Sequence, residues 1–188
     1  MLGCFRSTRS LSIDNQPTIF LGKYLYVITE LIHHVFIFPI PFTKGSAATA
    51  LDPNGVKTAP NEVPNEFLPE MTSGEIVLHP TNDRVLYVSN RGQVDLNSKT
   101  GGNAKGDAIA VITLNEEGDK VDNVEIVPTE INFIRGMQIT KDGKYLGVVG
   151  QKDGKAAVYQ TGGKYGETIE LVASVDAGLD VPTDVTWV

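Results

Sequence analysis

The side chains with the widest chemical range in this 188-residue sequence are three histidines and one cysteine, and their spacing does not suit catalysis or metal binding. His33 and His34 are adjacent, and neighbouring side chains on a strand or tight hairpin diverge. They read as hairpin histidines rather than a metal pair. His79 precedes Pro80 and reads as the end of a strand. Cys4 has no base positioned beside it, so it lacks the activation a nucleophile needs, and alone it forms no internal disulfide. The stretch NSKTGGNAKGD has glycines but neither the spacing nor the following helix of a phosphate-cradling loop. NEEGD offers too few ligands at the required positions for calcium. Asp95 and Asp107 flank the Gly-rich stretch and suit turn capping as well as ligand binding. No metal and no cofactor is expected.

The elements that must position any site are strands. KYLYVIT (Lys23 to Thr29) and HVFIFPI (His34 to Ile40) are short and rich in aromatic and β-branched residues. EIVLHP (Glu75 to Pro80), RVLYVSN (Arg84 to Asn90), DAIAVITL (Asp107 to Leu114) and VDNVEIV (Val121 to Val127) follow. GMQIT, KYLGVVG, KAAVYQT and TIELVASV repeat the theme between Gly136 and Val175. Asp142-Gly143, Asp153-Gly154 and Gly162-Gly163 separate them, dipeptides that supply the positive φ of tight hairpins. No window shows a sustained 3.6-residue period. The chain is expected to be all-β.

An internal repeat narrows the architecture. LHPTNDRVLYVSNRG aligns with ITKDGKYLGVVGQKDG, so that Leu86 and Leu146 lie sixty residues apart, and Leu25 lies sixty-one before Leu86. EIVLH, RVLYV, AIAVIT and VEIVP parse as one four-stranded unit. Repeating four-stranded antiparallel units are propeller blades. A sandwich of the same strands is the structural alternative, but it does not explain why strand and turn order recurs. The stretch from Thr43 to Thr72 is expected to hold an outer strand and a long surface loop. PTDVTWV (Pro182 to Val188) begins like a further inner strand, with Trp187 in its core. About three blades are too few to close a ring, so the chain is expected to be the C-terminal part of a larger propeller, a truncation.

SGEIVLHPTNDRVLYVSNRG, DAIAVITL, IRGMQITKDGKYLGVVGQKDGKAAVYQT and GLDVPTDVTWV resemble the last blades of the lactonase family of seven-bladed propellers. That family includes bacterial 6-phosphogluconolactonase and fungal carboxy-cis,cis-muconate cyclase, and the fungal members are the nearer match. Residues 1–20 match poorly, leaving 21–188 as the partial propeller domain. The resemblance implies a site at the central channel, where inner strands begin, built from a glutamate, arginines and a histidine. It places the catalytic glutamate on Glu75 and the catalytic arginine on Arg135, with Arg91 of SNRG beside them as a substrate-binding residue. The histidine position falls at Arg9 and Ser10, which hold none. The implied activity is that of a lactonase or cycloisomerase acting on small anionic lactones. Proton transfer and stabilisation of carboxylate or oxyanion charge are what opening or closing a lactone requires, and arginine forks suit planar anionic oxygens. The same residues would serve a structural ion pair. The alternatives to an enzyme are a non-catalytic propeller fragment and a binding or scaffold module.

Sixteen basic residues against twenty-three acidic ones give a net charge of -7, and the basic residues are scattered. Without a basic face to neutralise phosphates, nucleic acid is not an expected partner. The apolar stretch from Thr18 to Phe42 is interrupted by Lys23, Glu30, His33 and His34, so no membrane span is expected. The first residues lack an apolar core of signal-peptide length. A cytoplasmic location is expected, with a small anionic lactone or carboxylate as partner and self-association through uncovered blade faces.

Overall fold

The structure, a computed structural model, describes residues 18–40, 48–176 and 178–188. Its strands form three four-stranded antiparallel sheets, each in simple sequence order. The first blade comprises β1 (Thr18–Leu21), β2 (Tyr24–Ile28), β3 (His34–Pro39) and β4 (Val56–Lys57). The second holds β5 (Thr72–Leu78), β6 (Val85–Arg91), β7 (Ala108–Leu114) and β8 (Val121–Pro128). The third holds β9 (Ile134–Ile139), β10 (Tyr145–Gly150), β11 (Lys155–Gly162) and β12 (Thr168–Asp176). This is a partial β-propeller, all-β as the residue pattern predicts. The short β4 is the outer strand expected between Thr43 and Thr72.

Alternation explains how the blades stack. Successive strand side chains point to opposite faces, and β6 uses both. Val85 and Tyr87 join Ile109 and Val111 against Ile134, Met137, Leu146 and Tyr159 of the third blade. Leu86 and Val88 join Ala110 and Ile112 against Tyr26, Ile28, Val35 and Ile37 of the first. Every residue of β6 is buried. That two-sided burial is why RVLYVSN and DAIAVITL are nearly continuous apolar runs rather than alternating ones.

The inner strands of the second and third blades each begin with a register irregularity. In β5, Ser73 pairs with Asn90 and Ile76 with Val88, so Gly74 and Glu75 stand opposite Ser89 alone. In β9, Ile134 pairs with Gly150 and Gly136 with Val149, leaving Arg135 as the extra residue. Such bulges bend a strand and re-aim its side chains. Both strands start earlier than the apolar pattern indicates, because the bulged residues are polar or glycine and mask the alternation.

The segment 182–188 is expected as a closing strand with Trp187 in the core, and this is corrected. It carries no strand assignment, and Trp187 is 38% exposed. It still packs on the third blade, with the indole Nε1 donating to the Gln138 carbonyl at 2.9 Å and the Trp187 amide donating to Gln138 Oε1 at 2.7 Å. Its other face has no sheet to pack against among the described residues.

Candidate functional site

The bulged starts of β5 and β9 bring together the charged residues singled out from the sequence. Glu75 is half-buried. Its amide donates to Ser89 Oγ at 2.8 Å, replacing the ladder bond that the bulge removes. Gly74 is required beside it, since a Cβ there would lie 2.5 Å from Ser89 Oγ and 3.0 Å from the Ile134 carbonyl. The second and third blades therefore approach backbone to backbone at this point.

Burial pushes the Glu75 carboxyl above its ordinary range, and the nearby Asp184 carboxylate pushes it further. The Ile76 amide, Arg135 and Arg91 act in the opposite direction. A carboxyl in this setting is suited to hold and release a proton.

The two arginines differ in their commitments. Arg91, at the end of β6, is 4% exposed. Its Nη2 donates to Glu30 Oε1 at 3.0 Å and closely to the Ser73 carbonyl, while its buried Nε has no partner. Burial first, then Arg135, lowers the Arg91 pKa, and Glu30 counteracts both. Arg135 is exposed, and among the described residues it forms no ion pair. Arg91 thus holds the turn after β2 against β5, and Arg135 is the guanidinium open to an anion. The registers also refine the sequence alignment. With Ser73 and Ile134 in matching positions, Arg135 corresponds to Gly74 and Glu75 to Gly136, one step apart rather than equivalent.

Sequence reading missed three contributors. Asp184 reaches Glu75 because the C-terminal segment crosses Gly136, where a Cβ would lie 2.6 Å from the Asp184 Cα. The inner-strand character of PTDVTWV was the available signal. Glu30 enters through the β2–β3 turn, whose carbonyl accepts the Ser73 amide at 2.8 Å. Phe133, with φ of 61°, lies under Arg91 at 5.5 Å and under the Lys152 ammonium at 4.7 Å from its ring centre. No local sequence signal marks these last two.

The histidines are occupied structurally. His33 is fully buried, its Nδ1 3.1 Å from Ser73 Oγ and its Nε2 2.9 Å from the Leu68 carbonyl. His79 lies beneath Gly143 and Gly166, at either of which a Cβ would clash with its ring. Burial lowers both histidine pKa values. Among the described residues no group of three or more His, Cys, Asp or Glu is placed to hold a metal ion, and no helix is long and apolar enough to cross a membrane. The expected histidine position at Arg9 and Ser10, and Cys4, lie outside the described residues.

The fold is shared with solved propellers. A protein assigned as a 6-phosphogluconolactonase from Bacteroides fragilis matches with TM-score 0.65 and 21% identity, over 87% of this chain and 38% of its own. The periplasmic gluconolactonase of Pseudomonas aeruginosa matches with TM-score 0.67 and 18% identity, over 87% and 39%. A Bacteroides uniformis protein, also assigned as a 6-phosphogluconolactonase, gives 0.64 and 24%, over 86% and 39%. The chain spans about two fifths of the length of these propellers. No curated protein matches the sequence. The sequence model of the family described as "Lactonase, 7-bladed beta-propeller" matches residues 6–187. Nearly the whole chain is thereby accounted for, and it belongs to the lactonase family of seven-bladed β-propellers.

Proposed function

We propose that this chain carries part of a lactone-handling site, in which Arg135 holds the carboxylate or developing oxyanion of a small anionic lactone and Glu75 transfers the proton. The observation that carries this reading is the juxtaposition of an exposed guanidinium, without an ion pair among the described residues, and a half-buried carboxyl held above its ordinary range, both at inner-strand bulges. Protonated Glu75 can donate to a leaving ring oxygen; ionised, it can take a proton from attacking water. Arg91 adds positive potential near Arg135 while remaining tied to Glu30. Family membership and the names of the structural relatives favour hydrolysis of a sugar lactone. A muconolactone-forming cycloisomerase would ask for the same groups.

Arg135 is exposed to water, where charge interactions are screened and weakened. Turnover by this chain alone is therefore expected to be low, with anion binding retained. The test is to purify the 188-residue chain, titrate it with 6-phosphogluconate, and assay hydrolysis of 6-phosphogluconolactone and of a carboxymuconolactone. Arg135→Ala should weaken binding about tenfold or more, and any hydrolysis should disappear in Glu75→Gln. Binding that ignores Arg135, or hydrolysis that survives Glu75→Gln, would overturn the assignment.

A further inference from the structure

One buried acid lies behind this site and takes no part in the proposed proton transfer. Asp107 is fully buried at the entrance to β7. Its Oδ1 accepts the Gln93 amide at 2.7 Å, and its Oδ2 accepts the Phe133 amide at 2.6 Å. The amides of Gly92 and Val94 also reach it. The Asp107 backbone continues the tie, its amide donating to the Ile131 carbonyl at 2.8 Å and its carbonyl accepting Thr129 Oγ1 at 2.6 Å. One residue thus grips the segment that leaves Arg91 and the segment that enters Arg135.

Resting on the anion-site reading above, we propose that Asp107 is a positioning residue that sets the Arg91 and Arg135 guanidiniums side by side. Its side chain joins the loop after β6 to the loop before β9, and these loops belong to different blades. Phe133 is the intermediary. A positive φ of 61° is costly for a bulky residue, and the carboxylate that captures its amide holds it there. The ring then supports Arg91 from below, two residues before Arg135. Close packing leaves little slack, because a Cβ on Gly106 would lie 2.4 Å from the Ile131 nitrogen. Asp107 needs no contact with a ligand for this role. Burial raises its carboxyl pKa, and the four amides that reach it act in the opposite direction.

The experiment uses the isotopically labelled full chain and follows the side-chain Nε–Hε signals of Arg91 and Arg135 by NMR, with 6-phosphogluconate as the probe. Asp107→Asn keeps the shape but replaces one acceptor oxygen with a donor. In this variant both arginine signals should shift, and affinity should fall about tenfold. That loss should vanish in the Arg135→Ala background, since coupled sites are not additive. Phe133→Gly is the second variant. It keeps the carboxylate and suits the positive φ, so it should fold even if Asp107→Asn does not, and it should move the same two signals. Unmoved arginine signals in whichever variant folds would overturn the proposal, as would an equal affinity loss with and without Arg135. If the unaltered chain fails to bind 6-phosphogluconate, the anion-site reading falls alone. Positioning by Asp107 is then decided by the arginine signals.

Discussion

The second and third blades repeat the same strands yet cover their forward faces differently. On the second, Val77, Val85, Tyr87, Ile109 and Val127 pack against the third blade. Strand registers put Gln138, Tyr145, Gly147, Ala156 and Val175 at the matching positions of the third. Tyr87 is fully buried, with its hydroxyl donating to the Gly166 carbonyl at 2.6 Å. Its counterpart Gly147 has no side chain, and the Trp187 indole lies over it, 3.2 Å from where a Cβ would stand. A large residue inside one blade is thus replaced by glycine plus an aromatic from a following segment. Tyr145 and Val175 stay 39% and 55% exposed. The repeat dictates where a face lies, whereas what covers it depends on the neighbour.

The sharpest way to break this comparison is to empty its better-covered side. Tyr87→Ala should lose about 3–5 kcal/mol, the range for deleting a buried aromatic, read as a lower urea midpoint. Trp187→Ala should cost less, about 1–2 kcal/mol, because a half-covered ring forfeits only part of its transfer energy. Trp187 is the single tryptophan, so its fluorescence reports the third face directly. Gly147→Ala should redshift that emission as the indole is pushed outward. Equal losses for Tyr87→Ala and Trp187→Ala would show that a loose segment seals a face as well as a blade does.

A smaller effect should come from pH. His79 is buried between the second and third blades, and burial lowers its folded pKa below the ordinary value of about 6.5. Stability is then present above that value and is lost as pH falls through the folded one. His33, which ties the β2–β3 turn to Ser73, acts in the same direction. Thermal unfolding between pH 7.5 and 5 should show the drop, and His79→Gln should flatten part of it.

The smallest effect should be at Glu75. Its folded pKa is raised, chiefly by burial, so its contribution is favourable below the ordinary carboxylate value of about 4.3 and is lost as pH rises through the folded value. Glu75→Gln should therefore leave the chain equal or slightly more stable at pH 7 while removing the proposed chemistry. A clear loss of stability in that variant would instead mark Glu75 as part of a structural ion pair.

Much of the fold is legible in the sequence, for identifiable reasons. Strands buried on both faces, such as RVLYVSN, leave long apolar runs. Turns that need positive φ leave glycines, as at Gly143 and Gly154. Each is a local demand on one short stretch, so each is written locally. The proximity of Glu75 and Arg135 was accessible through the repeat and the family resemblance, although the bulges shifted them by one step. Asp184, Glu30 and Phe133 were not singled out, because their places depend on how a tail or a turn from another blade crosses the bulges. Trp187 has the composition of a core residue and is left partly exposed, since burial is a property of both surfaces in a contact. Asp107 shows the same limit. Any aspartate beside a glycine-rich loop can cap a turn. Only the packing of β9 against β5 turns this one into a tie between two arginines, through amide contacts that span 14 and 26 residues of sequence.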